Sequence, residues 1–240
     1  MNEDENEGAP LAEPRVMVER YARRKSVNED GRYSMLSPAV YMGQQEKERA
    51  LIRWLGQSGL LPLHDKCLLE VGCGSGGNLI DMMRLGFRPE NLVGNELLQD
   101  RATEARARLP VATRLLVGDA VALDFGGEQF DVVYQSTVFT SILDDAFQSR
   151  LAAKMWALAK PGGGVLWYDF TFNNPSNPDV RGVPLKRVRE LFPQGRISVR
   201  RVTLAPPISR RVVRIHPVMY GVFNALPLLR THVLCFIQKP

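Results

Sequence analysis

Residues Leu69 to Asn78 read Leu-Glu-Val-Gly-Cys-Gly-Ser-Gly-Gly-Asn, and Gly72, Gly74 and Gly77 satisfy a Gly-x-Gly-x-x-Gly spacing. Glycines so placed admit positive φ and let a ligand approach the backbone closely. Glu96 follows Gly77 by 19 residues, a distance at which an acid can accept from ribose hydroxyls. Alone, this pattern fits a nicotinamide dinucleotide as well as any other adenosine-bearing ligand. Three further features separate them. Glu70 stands two residues before Gly72, where a carboxylate would repel a pyrophosphate. It suits a zwitterionic ligand with an ammonium group, directly or by ordering the loop. Asp119, in Gly118-Asp119-Ala120, can accept from the exocyclic amine of an adenine. Hydride-transfer machinery is missing: the only Tyr-x-x-x-Lys is Tyr21 to Lys25, far ahead of the glycine loop.

The elements that must hold these residues follow from the apolar runs. Lys66–Val71, Asn91–Asn95, Thr113–Val117, Phe130–Gln135 and Gly164–Asp169 read as short buried strands. Between them Asn78–Leu85, Gln99–Leu109 and a stretch from Asp144 or Asp145 to about Ala159 read as helices, the last stopped by Lys160-Pro-Gly-Gly163. Strand–helix alternation of this kind implies right-handed crossovers and a doubly wound α/β sheet covered on both faces. The glycine loop then lies at the carboxyl end of the first strand, at the sheet's switch point. Upstream, Ser37-Pro38 opens a helix that Gly56 to Pro62 ends. Downstream, Pro184–Phe192 reads as a helix, and Arg196–Leu204 and His232–Gln238 as strands.

With these residues in place, the sequence resembles the class I S-adenosylmethionine-dependent methyltransferases. Glu70-Val-Gly72-Cys73-Gly74-Ser-Gly76 is similar to the family's first motif, and Phe130-Asp-Val-Val-Tyr134-Gln135-Ser136 to its fourth-strand motif. Leu158-Ala-Lys-Pro161-Gly-Gly163 is similar to the turn before its fifth strand, with Ala159 as an extra residue. The resemblance implies a mostly parallel seven-stranded sheet with an antiparallel last strand. It implies S-adenosylmethionine as cofactor and S-adenosylhomocysteine as product. The expected cofactor contacts are Glu70, Gly72, Cys73, Gly74, Asn78, Glu96, Leu97, Asp119, Ala120 and Gln135.

A methyl sulfonium is already activated, so the protein must chiefly align the acceptor with it. A hydroxyl acceptor would also gain from a general base. The acceptor is expected over the carboxyl ends of the fourth and fifth strands, among Gln135, Ser136, Asp169, Asn173 and Asn174. Asp169 is the expected catalytic residue, with His216 or His232 as possible bases. Tyr134 and Trp167 are expected in the core. A metal-assisted mechanism would want an acid where Gln135 stands, so no metal is expected. A weaker likeness of Tyr168–Gly182 to methyltransferases of bacterial polysaccharide assembly implies a sugar hydroxyl, on a small molecule or a lipid-linked glycan.

The net charge of +5 over 240 residues conceals a division. From Arg181 onward there are twelve Lys and Arg against one acid, Glu190, while the preceding 180 residues are net acidic. The basic quarter is open to three readings: a solvated face, an RNA contact that no stacking aromatics support, or contact of residues 205–230 with an anionic bilayer. An RNA or protein acceptor, or a cofactor-binding module without catalysis, therefore stays as an alternative. Met1–Glu13 carries five acids and no base, so residues 1–14 are expected as a disordered tail rather than a secretory signal. Residues 15–62 are expected to form a helical lid, with a solvated basic cluster at Arg20, Arg23, Arg24 and Lys25. Residues 63–240 are then the catalytic domain. The odd, scattered Cys67, Cys73 and Cys235 suggest a reducing, cytoplasmic setting without zinc. No uninterrupted run is long and apolar enough for a membrane-spanning helix.

Overall fold

The computed structural model describes residues 13–27, 34–175 and 177–240. Its five parallel strands are β1 (Leu68–Val71), β2 (Leu92–Glu96), β3 (Arg114–Val117), β4 (Phe130–Ser136) and β5 (Ala159–Phe170). Two more, β6 (Arg196–Leu204) and β7 (Arg230–Gln238), complete a seven-stranded sheet of order β3-β2-β1-β4-β5-β7-β6. β7 is antiparallel to both neighbours, pairing Trp167 with Cys235 on one side and Val199 with Cys235 on the other.

Alternate strand residues divide between two apolar layers, as the pleat requires. Leu69, Val133, Val165, Trp167 and Val233 pack beneath α5 (Asp145–Leu158) and α6 (Leu185–Leu191). Leu68, Val132, Tyr134, Leu166 and Leu234 pack beneath α2 (Pro38–Leu55) and α3 (Gly77–Leu85), and Ala105 of α4 (Gln99–Arg108) belongs to the same layer. The doubly wound sheet is thus as expected, with Tyr134 and Trp167 both fully buried.

Several local expectations are corrected. Glu13 and Pro14, expected in the tail, belong to helix α1 (Glu13–Val27), while residues 1–12 lie outside the described residues. Arg20 is not solvated. It is buried and donates to Glu13 at 2.7 Å, and Glu13 also accepts from the Leu143 amide at 2.8 Å. Arg23 donates to Asp179 at 2.9 Å, and the side chains of Arg24 and Lys25 lie outside the described residues. The expected lid divides into unlike halves, because Ala50, Leu51 and Leu55 of α2 belong to the core. Lys160–Gly163 is not a turn between elements but the start of β5. There a Cβ on Gly163 would come within 2.5 Å of the Asp131 carbonyl oxygen, so only glycine lets the two backbones meet. Residues 205–230, of uncertain shape in sequence, fold as α7 (Pro206–Ile215), α8 (Val218–Asn224) and a 3-10 turn at Pro227–Leu229. No helix among the described residues is long and apolar enough to cross a membrane.

Candidate active site

The carboxyl ends of the parallel strands open into a cavity of about 2140 Å³. Small-molecule pockets usually measure about 300–1,000 Å³, so there is room for a cofactor and a second molecule. Its first half lies over β1, β2 and β3. Gly72 has φ of +68°, and a Cβ there would sit 2.5 Å from Val138 Cγ2. Glu96 is buried and fixed by two backbone donors: the Gly74 amide to Oε2 at 2.7 Å and the Leu98 amide to Oε1 at 2.9 Å. Each carboxylate oxygen keeps acceptor capacity for a ligand hydroxyl. Asp119 accepts from the Val121 amide through Oδ1 at 2.9 Å, and Asn95 donates to the Gly118 carbonyl at 2.9 Å, tying β2 to the turn that carries Asp119. α1 crosses above: Tyr21 meets the Ser141 hydroxyl at 3.2 Å, and the Arg101 guanidinium lies 5.3 Å from its ring.

These residues fit S-adenosylmethionine by their chemistry. A close-approach glycine loop faces a rigid acid suited to ribose and a second acid suited to an amine. Gly72, Cys73, Gly74, Asn78, Glu96, Leu97, Asp119 and Ala120 all line the cavity. The Cys73 thiol is held far above its ordinary range, first by burial and then by Glu70 and Glu96, and is no nucleophile.

Glu70 and Gln135 are not among the lining residues. Glu70 is fully buried; Asn78 Nδ2 donates to its Oε1 at 2.6 Å, and Lys47 Nζ donates to Asn78 Oδ1 at 2.6 Å. Burial pushes Glu70 up to about 8, against the pull of Asn78 and of Lys47. Burial also lowers Lys47, a residue of α2 that sequence reasoning missed. The chain Lys47–Asn78–Glu70 thus braces the glycine loop from behind, and Gln44 adds a 2.6 Å bond to Asp81 of α3. Gln135 accepts from the Val138 amide at 3.1 Å beneath the loop after β4.

The second half of the cavity is bounded by Thr137, Phe170, Phe172, Asn173, Asn174, Thr231 and His232, with Ser136 at the junction. Asp169 does not reach it. It is fully buried, accepts from the amides of Thr140 at 3.3 Å and Phe170 at 3.1 Å, and is pushed up to about 7 by burial. It holds the wall formed by Thr137–Thr140 from below. His216 is also elsewhere: it is exposed at the end of α7, and its Nδ1 accepts from the Val218 amide at 3.2 Å. His232 is the histidine that faces the cavity. Its ring stacks on Tyr168 at 5.1 Å, and its Nδ1 lies 3.1 Å from the Thr231 hydroxyl. Burial, then the charge of Lys47, hold it down at about 4, so it is neutral at pH 7. Thr137 has φ of +59°, a conformation a β-branched residue avoids unless the surroundings impose it. No sequence signal marked it. Among the described residues no cluster of His, Cys, Asp or Glu is suited to a metal.

Residues 68–163 match the model of a methyltransferase domain. A sequence search of curated proteins returns no match. Among solved structures, magnesium protoporphyrin IX methyltransferase of Synechocystis PCC 6803, with bound S-adenosylmethionine, superposes with a TM-score of 0.64 at 13% identity, covering 97% of this chain and all of that one. The glycopeptide N-methyltransferase MtfA, complexed with sinefungin, gives 0.55 at 18% identity over 81% of this chain and 93% of that one. The [4+2]-cyclase SpnF gives 0.58 at 16% identity over 82% and 83%. The cyclase shows that the fold alone does not set the reaction. The domain match lies on β1 to the start of β5, the segment that carries the glycine loop, Glu96 and Asp119. Residues 68–163 thus match a methyltransferase domain, and the chain as a whole has the fold of the Synechocystis methyltransferase crystallised with S-adenosylmethionine.

Proposed function

We propose that the chain is a class I S-adenosylmethionine-dependent methyltransferase that alkylates a hydroxyl of a small molecule or sugar, in the cytoplasm, with the acceptor bound over the ends of β4 and β5. When bound, the cofactor supplies an activated methyl group. The chain's own residues bind and align. Glu96 and Asp119 hold the nucleoside, the Lys47–Asn78–Glu70 chain keeps the glycine loop in shape, and α1 covers that end from solvent. In the second half, Phe170 and Phe172 offer apolar faces while Asn173, Asn174 and Thr231 offer hydrogen bonds, a mixture suited to a polyhydroxylated ring. His232 is the positioning group we assign to the acceptor: a neutral imidazole accepts a hydroxyl proton in a hydrogen bond and points an oxygen lone pair outward. Asp169, sealed below the wall, acts through the loop it anchors. The observation that carries this reading is the neutral, cavity-facing His232 beside a wall of mixed aromatic and amide side chains.

The test is to incubate the protein and methyl-labelled cofactor with separated lysate fractions of small molecules, glycans and RNA. Label is expected in an alkali-stable ether of a small-molecule or glycan fraction. Label confined to an RNase-sensitive or protein fraction would overturn the hydroxyl assignment.

A further inference from the structure

The insertion between β6 and β7 has two faces of opposite character. Inward, Val212 of α7 and Tyr220 of α8 pack with Leu204 into a small core of their own. Tyr220 accepts from the Leu204 amide at 3.3 Å, and Arg230 donates to the Asn224 carbonyl at 2.7 Å. Outward, Ile215 ends α7, Val218 and Val222 lie one turn apart on α8, and Leu226 follows that helix, an apolar stripe along the chain. All four are more than half exposed, and Leu228 at the tip is 95% exposed. Scattered surface leucines need no explanation, but five exposed apolar side chains between Ile215 and Leu228 do.

The charge around this stripe is of one sign. From Leu191 to Pro240 the chain contains eight Lys and Arg and no acid. Arg211 and Arg214 on α7 are exposed, and neither has an ion pair or hydrogen bond among the described residues. A protein partner with an acidic rim would need apolar pockets matched to each side chain. A bilayer with anionic headgroups meets both features without such matching: acyl chains take the stripe, and headgroups take the arginines.

We propose that α7, α8 and the turn after them dock on an anionic lipid bilayer. Pro206, Pro207 and Arg210 of the same helix α7 line the second half of the cavity. A docked insertion therefore sets the rim of the cavity at the headgroup level. The acceptor it serves is then a lipid-borne hydroxyl, such as a glycan headgroup; this last step rests on the acceptor reading above, whereas docking itself does not.

The experiment is co-sedimentation of the full chain with vesicles of phosphatidylcholine alone and of phosphatidylcholine with about one third phosphatidylglycerol. S-adenosylhomocysteine titrations are run in parallel without lipid. Binding is expected only to the anionic vesicles, falling at least tenfold in Arg211→Glu/Arg214→Glu and on raising salt. Binding should be lost in Val222→Asp/Leu228→Asp, with S-adenosylhomocysteine affinity unchanged in both variants. Absence of vesicle binding by the unaltered chain, binding indifferent to both variants, or a dimer that Val222→Asp/Leu228→Asp converts to monomer would each overturn the proposal. Failure of the S-adenosylhomocysteine titration with vesicle binding intact would instead strike the cofactor assignment alone.

Discussion

The two halves of the cavity are built by different means. The half over β1 to β3 is made of backbone and short acids: a glycine loop, two amides fixing Glu96, one amide fixing Asp119. The half over β4 and β5 is made of side chains: Phe170 at the end of β5, Asn173 on the loop after it, and Thr231 and His232 at the start of β7. The contrast follows from what each half must recognise. A constant ligand can be met by main-chain geometry that few substitutions improve. A variable ligand must be met by side chains, which can change without disturbing the sheet.

This contrast can be tested from its strongest point to its weakest. Glu96→Ala should lower affinity for S-adenosylhomocysteine on the order of a hundredfold or more, since two hydrogen bonds to a charged group are worth about 1.5–3 kcal/mol each. Calorimetry with a thermal melt checks this; unchanged affinity in a folded variant would erase the division between the halves. His232 offers the next effect. Its folded value of about 4 lies below the usual 6.5. The unfolded chain therefore binds the proton more readily, and stability falls as pH drops through that window. The loss approaches about 3 kcal/mol at 1.36 kcal/mol per unit. Urea unfolding at pH 7 and pH 4.5 should show it as the difference between the unaltered chain and His232→Phe, because Glu70 and Asp169, raised by burial, give both proteins the opposite trend. Asp169→Asn separates a base from an anchor. A base would cost about 10²–10⁴-fold in turnover, whereas an anchoring acceptor should cost less than about tenfold. Steady-state rates with the identified acceptor decide between them. Smallest is Arg84→Ala, where the guanidinium on α3 meets Glu48 of α2 at 3.1 Å. An exposed pair is worth about 0–1 kcal/mol, so the melt should barely move.

Sequence reasoning succeeded where the signal was local and failed where it was tertiary. The alternation of strands and helices, the glycine loop and the acids at the ends of β2 and β3 follow from runs of a few residues with strong steric demands. Helix α1 carries no comparable signal, because its charged sequence is held by contacts with Ser141 and Leu143, over a hundred residues away. Lys47 reads as a surface lysine until Asn78 and the Tyr168 ring, 5.3 Å from its ammonium, are brought to it. Asp169 was rightly placed at the end of β5 but on the covered side. A strand fixes that two neighbours face opposite ways, and only the loop above decides which side is the cavity. His216 and His232 differ in the same manner: one lies within the insertion and the other just after it, and only the fold shows which one turns inward.

The position of β7 has a consequence for how the molecule comes into being. The strand is a keystone, lodged between β5 and β6 rather than added at the margin. As the chain leaves the ribosome, β5 must wait with one edge bare until some sixty later residues have followed it. For that interval the nascent protein exposes an apolar, unpaired strand to chaperones and to its own neighbours. Closure of the sheet thereby waits for the strand that comes last in sequence order.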